Sequence, residues 1–185
     1  MNWIAFTREW RGCVLGWLLI GMTGVGVSAQ SVPRPVLTAA FLYNFAKFTE
    51  WPPDHLVAAS PLEFCVADEP VADALQATID GRSIADHPVV VTRVKADTLL
   101  RNCAVLYASS LDAKVTDRLL TAVRGASVLS VGETSQFVQA GGIARLFIDG
   151  GQMRFAINID AANRARLKLS SQLLGLAKII KDGQP

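Results

Sequence analysis

Apolar positions fall along this chain in two spacings that keep alternating. Short runs with strand character, Leu62-Glu-Phe-Cys-Val-Ala67, His87-Pro-Val-Val-Val-Thr-Arg93, Ala104-Val-Leu-Tyr-Ala-Ser109 and Val128-Leu-Ser-Val131, are separated by stretches whose apolar residues return at helical intervals. After the first run, Glu69-Pro70 opens a helix with Val71, Ala74, Leu75 and Thr78 on one side. Proline suits a first turn, and Asp68 can cap it. Asp80-Gly81 marks a turn, and a short helix is expected from Asp97 to Asn102. A longer helix, capped by Ser109 or Ser110, carries Leu111, Val115, Leu119 and Val123 inward and closes at Gly125.

The final third changes character. Ile143-Ala-Arg-Leu-Phe-Ile148 and Gln152-Met-Arg-Phe-Ala-Ile-Asn-Ile159 flank Asp149-Gly150-Gly151, a good hairpin turn, and Met153, Phe155, Ile157 and Ile159 share one face. Asp160 then caps a short helix. Ser170 caps a last one, in which Leu173, Leu176, Ala177 and Ile180 line up. Strands alternating with amphipathic helices imply a largely parallel sheet covered on both faces, because parallel crossovers lay helices over the strands. The predicted fold is therefore a three-layer α/β sandwich: a mixed, mostly parallel sheet with a C-terminal antiparallel hairpin and helices on both faces.

Upstream of these elements lies the most unusual stretch, from Ala39 to Pro52. Phe41, Tyr43, Phe45, Phe48 and Trp51 fall within it, in a chain that is 8% aromatic. At about 100° per residue, Leu37, Phe41, Phe45 and Phe48 share one narrow arc, which predicts a buried helix face. Tyr43, Lys47 and Glu50 lie on the other side. Pro52 and Pro53 are expected to stop the helix. Tyr43 and Trp51 are candidates for anchoring a partner, although Trp51 could equally plug the bottom of the domain.

Residues 1–29 read as a cleavable export signal. Arg8 and Arg11 form a positive start, Val14 to Val27 is apolar, and Val27-Ser28-Ala29 fits a small-residue cleavage site before Gln30. The apolar run is about 14 residues and glycine-interrupted, against the roughly 20 that a spanning helix needs. Residues 30–185 then form a single domain by length. Removing Arg8, Glu9 and Arg11 from totals of 18 basic and 16 acidic residues leaves that part almost neutral. Its charges are interspersed apart from Arg164, Arg166 and Lys168, so no concentrated basic face for nucleic acid is expected.

Cleavage discards Cys13 and leaves Cys65 and Cys103 in an oxidising compartment, where an even count of two implies one disulfide. It could be a structural staple or a redox-responsive switch. The spacing is not C-x-x-C, and two cysteines with the distant His55 and His87 do not make a zinc site. There is no P-loop, no G-x-G-x-x-G and no G-x-S-x-G. Asp86-His87-Pro88 reads as a turn rather than a base with its orienter. No catalytic residue, cofactor or metal is expected, which leaves a binding or regulatory module.

The aromatic segment, followed by Phe64-Cys65-Val66, resembles the YfiR family of periplasmic repressors. The likeness continues through Ser127-Val-Leu-Ser-Val-Gly-Glu133, Gly141-Gly-Ile143 and Asn158-Ile-Asp-Ala-Ala162. It ends in Leu167-Lys-Leu-Ser-Ser-Gln-Leu-Leu-Gly-Leu-Ala-Lys-Ile-Ile180. The resemblance implies the same Cys65–Cys103 pairing and a homodimer. It also implies a partner, the periplasmic sensory portion of an inner-membrane diguanylate cyclase, which the repressor holds inactive, lowering cyclic di-GMP and biofilm formation. An outer-membrane lipoprotein would relieve the repression in some members. Candidate partner-contacting residues are Tyr43, Lys47 and Trp51 on the aromatic segment and Arg164, Lys168 and Gln172 near the last helix, chosen for aromatic or cationic character on faces expected to be exposed. A competing reading is a small-ligand sensor, with its site at the strand ends near Ala67-Asp68 and Ser109-Ser110.

Overall fold

In the computed structural model, which describes residues 32–95, 98–108 and 112–183, the alternation resolves into three layers. The elements run α1 (Arg34–Lys47), β1 (Thr49–Glu50), β2 (Leu62–Val66), α2 (Glu69–Ile79), β3 (Ser83–Ile84), β4 (His87–Arg93), a single 3-10 turn (Leu100–Asn102) and β5 (Val105–Tyr107). They continue through α3 (Ala113–Val123), β6 (Leu129–Gly132), α4 (Ser135–Gln139), β7 (Ala144–Asp149), β8 (Gln152–Asn158), α5 (Ile159–Arg164), β9 (Lys168–Leu169), α6 (Ser171–Leu176) and β10 (Lys178–Ile180). The main sheet has the order β10-β8-β7-β6-β5-β2-β4-β3. From β4 through β2, β5 and β6 to β7 the pairing is parallel. The hairpin β7–β8 and the edge pair β3–β4 are antiparallel. This is the expected mixed sandwich. The expected export signal, Asp97, Ser109, Ser110 and Leu111 lie outside the described residues.

The order reverses beside β2. From β2 the chain moves outward through α2 to β4, then returns across β2 to β5 and proceeds the other way to β6. One face of the sheet is covered by α1, α2, α5 and α6 over a continuous core that includes Leu42, Phe45, Phe64, Leu75, Val105, Leu129, Ile157 and Leu173. The other face is covered by the 3-10 turn, α3 and α4 over two smaller clusters, one around Cys65, Leu106 and Val123, the other around Leu120, Phe137 and Ile180. On that second face Cys65 of β2 and Cys103, which leads into the neighbouring β5, form a fully buried disulfide with Cα atoms 5.8 Å apart.

Several sequence expectations are corrected. The aromatic helix does not run to Pro52; it ends at Lys47. Thr49 Oγ1 donates to Phe45 O at 2.7 Å, and Thr49–Glu50 turns extended to pair with Leu169 and Lys168. A β-branched residue with a strand partner at hand outcompetes another helical turn. The buried side of α1 is Thr38, Ala39, Leu42, Phe45 and Ala46, so of the phenylalanine stripe only Phe45 is fully buried, while Leu37, Phe41 and Phe48 sit half-buried on its flank. The last helix stops at Leu176. Gly175 weakens it, and Ile179 and Ile180 join β8 as a parallel edge strand instead of lining up with Leu173.

Capping explains the remaining shifts. Asp112, whose carboxylate accepts from Val115 N at 2.9 Å, starts α3, and Asn158 rather than Asp160 caps α5. Asp68 and Ser170 cap α2 and α6 as expected. The helix expected before Asn102 is only the 3-10 turn from Leu100.

Candidate functional site

Between α1 and α6 the first-face core is left open. Leu37, Ala40, Phe41, Phe45 and Phe48 of the α1 region, Phe155 of β8, and Leu173 and Leu176 of α6 line a groove of about 530 Å³, with Asn44 and Gln172 its polar lining residues. Its floor is an aromatic triangle. The rings of Phe41, Phe45 and Phe155 meet edge to face, with centroids 6.0, 6.0 and 5.0 Å apart. Such pairs prefer this arrangement because a ring edge is positive and a ring face negative. Leu176 stands at the lip, 76% exposed. The two walls are tied at one end, where β1 follows α1, β9 precedes α6, and the two strands pair.

The candidate contact residues fall in several places. Tyr43 is half-buried on the opposite flank of α1 from Phe41, with the Lys47 ammonium and the Arg82 guanidinium over its ring at 5.8 and 5.6 Å. Trp51 is half-buried, and its indole N–H donates to Ala104 O at 3.1 Å, at the N-terminal edge of β5. Lys168 is exposed opposite Glu50 in the β1–β9 ladder, and Gln172 is exposed beside the groove. Arg164 lies apart from all of these. It pairs with Asp182, which also accepts from the buried Asn158 amide at 3.0 Å. The Arg164 guanidinium, helped by Asn158, holds the Asp182 carboxyl below the usual carboxylate range. Solvent screens an exposed pair of this kind, so it contributes little to stability.

A second, smaller opening sits outside the carboxyl ends of β2, β5 and β6. Arg34, Pro35 and Thr38 of α1, Asp68, Pro70 and Val71 at the start of α2, Tyr107 and Glu133 enclose about 210 Å³. Glu133 accepts from Arg34 Nη2 at 2.7 Å and from the Tyr107 hydroxyl at 2.8 Å. Asp68 is held through Oδ1 by Val71 N at 3.0 Å. The Thr38 hydroxyl is buried and has no hydrogen-bond partner among the described residues. Sequence reasoning placed Asp68 at a ligand-binding strand end but missed Arg34, Thr38 and Glu133. It also missed Phe155 and Leu176 of the groove. Each of these acquires its setting only through contacts made far along the chain.

A family model described as YfiR/HmsC-like matches residues 35–178. The chain belongs to that family. The groove lies within the matched region, as do all six candidate contact residues, and so does the second opening apart from Arg34. Members of the YfiR/HmsC-like family are periplasmic regulators rather than catalysts, acting in diguanylate cyclase signalling. Among the described residues no helix is long and apolar enough to cross a membrane, and no cluster of His, Cys, Asp or Glu could hold a metal ion. A solved structure of a conserved domain protein from Vibrio cholerae O1 biovar El Tor strain N16961 shares the fold, with a TM-score of 0.51 at 13% identity. That match covers 83% of this YfiR/HmsC-like chain and 62% of the other, so this chain spans less than two thirds of that protein's length. No curated protein matches the sequence.

Proposed function

We propose that this protein is exported to the periplasm and represses an inner-membrane diguanylate cyclase by binding its periplasmic sensory domain. Membership of the YfiR/HmsC-like family carries the reading. The groove between α1 and α6 supports it. An apolar cleft floored by aromatic rings and rimmed by polar groups such as Gln172 is the composition found at binding hot spots. The occupant assigned to it is an apolar side chain of the cyclase, with Lys168 and Gln172 contacting the polar rim. Tyr43 and Lys47, on the other flank of α1, belong to a second contact, either with the cyclase or with a second copy in a homodimer. An outer-membrane lipoprotein that competed for either surface would relieve repression.

Repression by binding requires a preference for the inactive cyclase. A preference of about 100-fold, equivalent to roughly 2.7 kcal/mol, turns an evenly poised cyclase into one about 99% inactive at saturation. The test is cellular cyclic di-GMP in a strain lacking this gene, with and without the exported protein supplied back. A rise that the exported protein reverses supports the reading. Unchanged cyclic di-GMP under several envelope stresses sinks it.

A further inference from the structure

The small opening at the strand ends has a property the groove lacks: it holds a polar group with nothing to bond to. Thr38 is 1% exposed and lines the opening, and its buried hydroxyl has no hydrogen-bond partner among the described residues. Burying an unpaired hydroxyl is costly, so such a group in a native fold calls for a partner. The position is also distinctive. The opening lies where the strand order reverses, between the carboxyl ends of β2 and β5, and open α/β sheets present ligands at that crevice.

The lining defines what fits. Two carboxylates, Asp68 and Glu133, face one cation, Arg34, leaving one negative charge uncompensated. Glu133 is fixed from two sides by Arg34 and Tyr107, yet each of its oxygens has a second lone pair. Asp68 uses Oδ1 to cap α2 and has no described partner on Oδ2. These are acceptors, and Thr38 Oγ1 is another. A primary ammonium brings three donors and one positive charge. The volume of about 210 Å³ corresponds to about seven water volumes, the size of a short amine or a small amino acid.

We infer that this crevice binds a compact primary-ammonium compound, its –NH3+ donating to Thr38 Oγ1, Asp68 Oδ2 and Glu133. If the compound is an amino acid, its carboxylate pairs with Arg34. If it is a simple amine, Arg34 stays on Glu133. The inference is independent of the cyclase reading, since the crevice and the groove share no residue.

Isothermal titration of the purified protein with ethanolamine, L-alanine, propionate and glycine betaine tests it. Ethanolamine and L-alanine are expected to bind; propionate, without a cation, and betaine, without N–H donors, are not. Tighter binding of L-alanine than of ethanolamine assigns Arg34 to a carboxylate, and the reverse order assigns a simple amine. Thr38→Val keeps the shape and removes the hydroxyl; Asp68→Asn keeps a capping oxygen and removes the charge. Each is expected to weaken binding roughly ten- to a hundredfold, the loss of one charge-assisted bond, while the unliganded protein melts no lower than wild type for Thr38→Val. Failure of both ammonium probes to bind overturns the inference. So does betaine binding as well as ethanolamine, or a Thr38→Val protein that binds like wild type.

Discussion

On one face of the sheet α1, α2, α5 and α6 bury a single continuous core, whereas the other face rests on two smaller clusters under α3, α4 and a 3-10 turn, one of which contains a buried disulfide. The first face has apolar surface to spare, enough to leave a groove open between α1 and α6. The second has less to bury and is stapled covalently. The difference separates stability from binding. Where burial is plentiful a face can carry an exposed apolar cleft, and where it is scarce a cross-link makes up the deficit.

The largest effect should come from the groove's own floor. Phe45 is 1% exposed and stacks edge-on against two rings, so Phe45→Ala should cost about 3–5 kcal/mol in a urea melt. Leu176→Ala at the lip should change stability by no more than about 0.5 kcal/mol while weakening repression. A Phe45→Ala cost under about 1 kcal/mol would mean that the first face does not act as one core. Next is the staple. Replacing Cys65 and Cys103 together by alanine should remove about 2–4 kcal/mol, since the bond closes a loop with a sequence separation of 38. Thiol titration of the unreduced protein should find neither cysteine free. If the double variant melts like wild type yet no longer represses, the bond is a switch rather than a staple.

Smaller effects mark the edge where the two faces meet. Asp182 bonds Arg164 and Asn158 beside the edge strand β10, whose Ile180 completes the second-face cluster. Its folded pKa is depressed, chiefly by the Arg164 hydrogen bond. Its contribution is therefore present in full above the unfolded value of about 3.9 and is lost as pH falls through the lower folded value. Protection of the β10 amides against hydrogen exchange, taken relative to the intrinsic rate at each pH, should fall on acidification below about pH 4, and Asp182→Asn should flatten that dependence. If β10 exchange is equally acid-sensitive in the variant, the clasp is irrelevant.

The smallest expected change is at Arg166, which ends α5 with φ at +56°, a conformation that glycine adopts without strain. Arg166→Gly should gain about 0.5 kcal/mol in high salt. In low salt the lost pair with Asp54 should offset it. A loss in high salt would show that the arginine stem contributes more than its backbone costs.

What was legible in the sequence was whatever depends on near neighbours. The β2, β4, β5 and β6 strands, the caps at Asp68 and Ser170, the Asp149-Gly-Gly hairpin and the disulfide all follow from local spacing, turn chemistry or cysteine arithmetic. The misses needed a distant partner. Ile179-Ile180 reads as helix until β8 offers an edge, and Thr49 reads as helix until Leu169 lies opposite. The phenylalanine stripe was visible, but its periodicity alone could not reveal that α6 leaves half of it uncovered. Thr38 carries no local signal at all, because an orphaned hydroxyl is defined by everything that surrounds it.

The groove joins the first helix after the N-terminal segment to the last helix before β10, with well over a hundred intervening residues between its walls. If the chain is exported from its N-terminus onward, as proposed above, α1 emerges long before α6 can lie beside it. Until Leu176 has been delivered and the β1–β9 ladder has closed, there is no cleft for a partner to enter. The proposed binding surface therefore needs both ends of the chain, and one cut short at Ser170 would leave Phe41 and Phe48 without their facing wall.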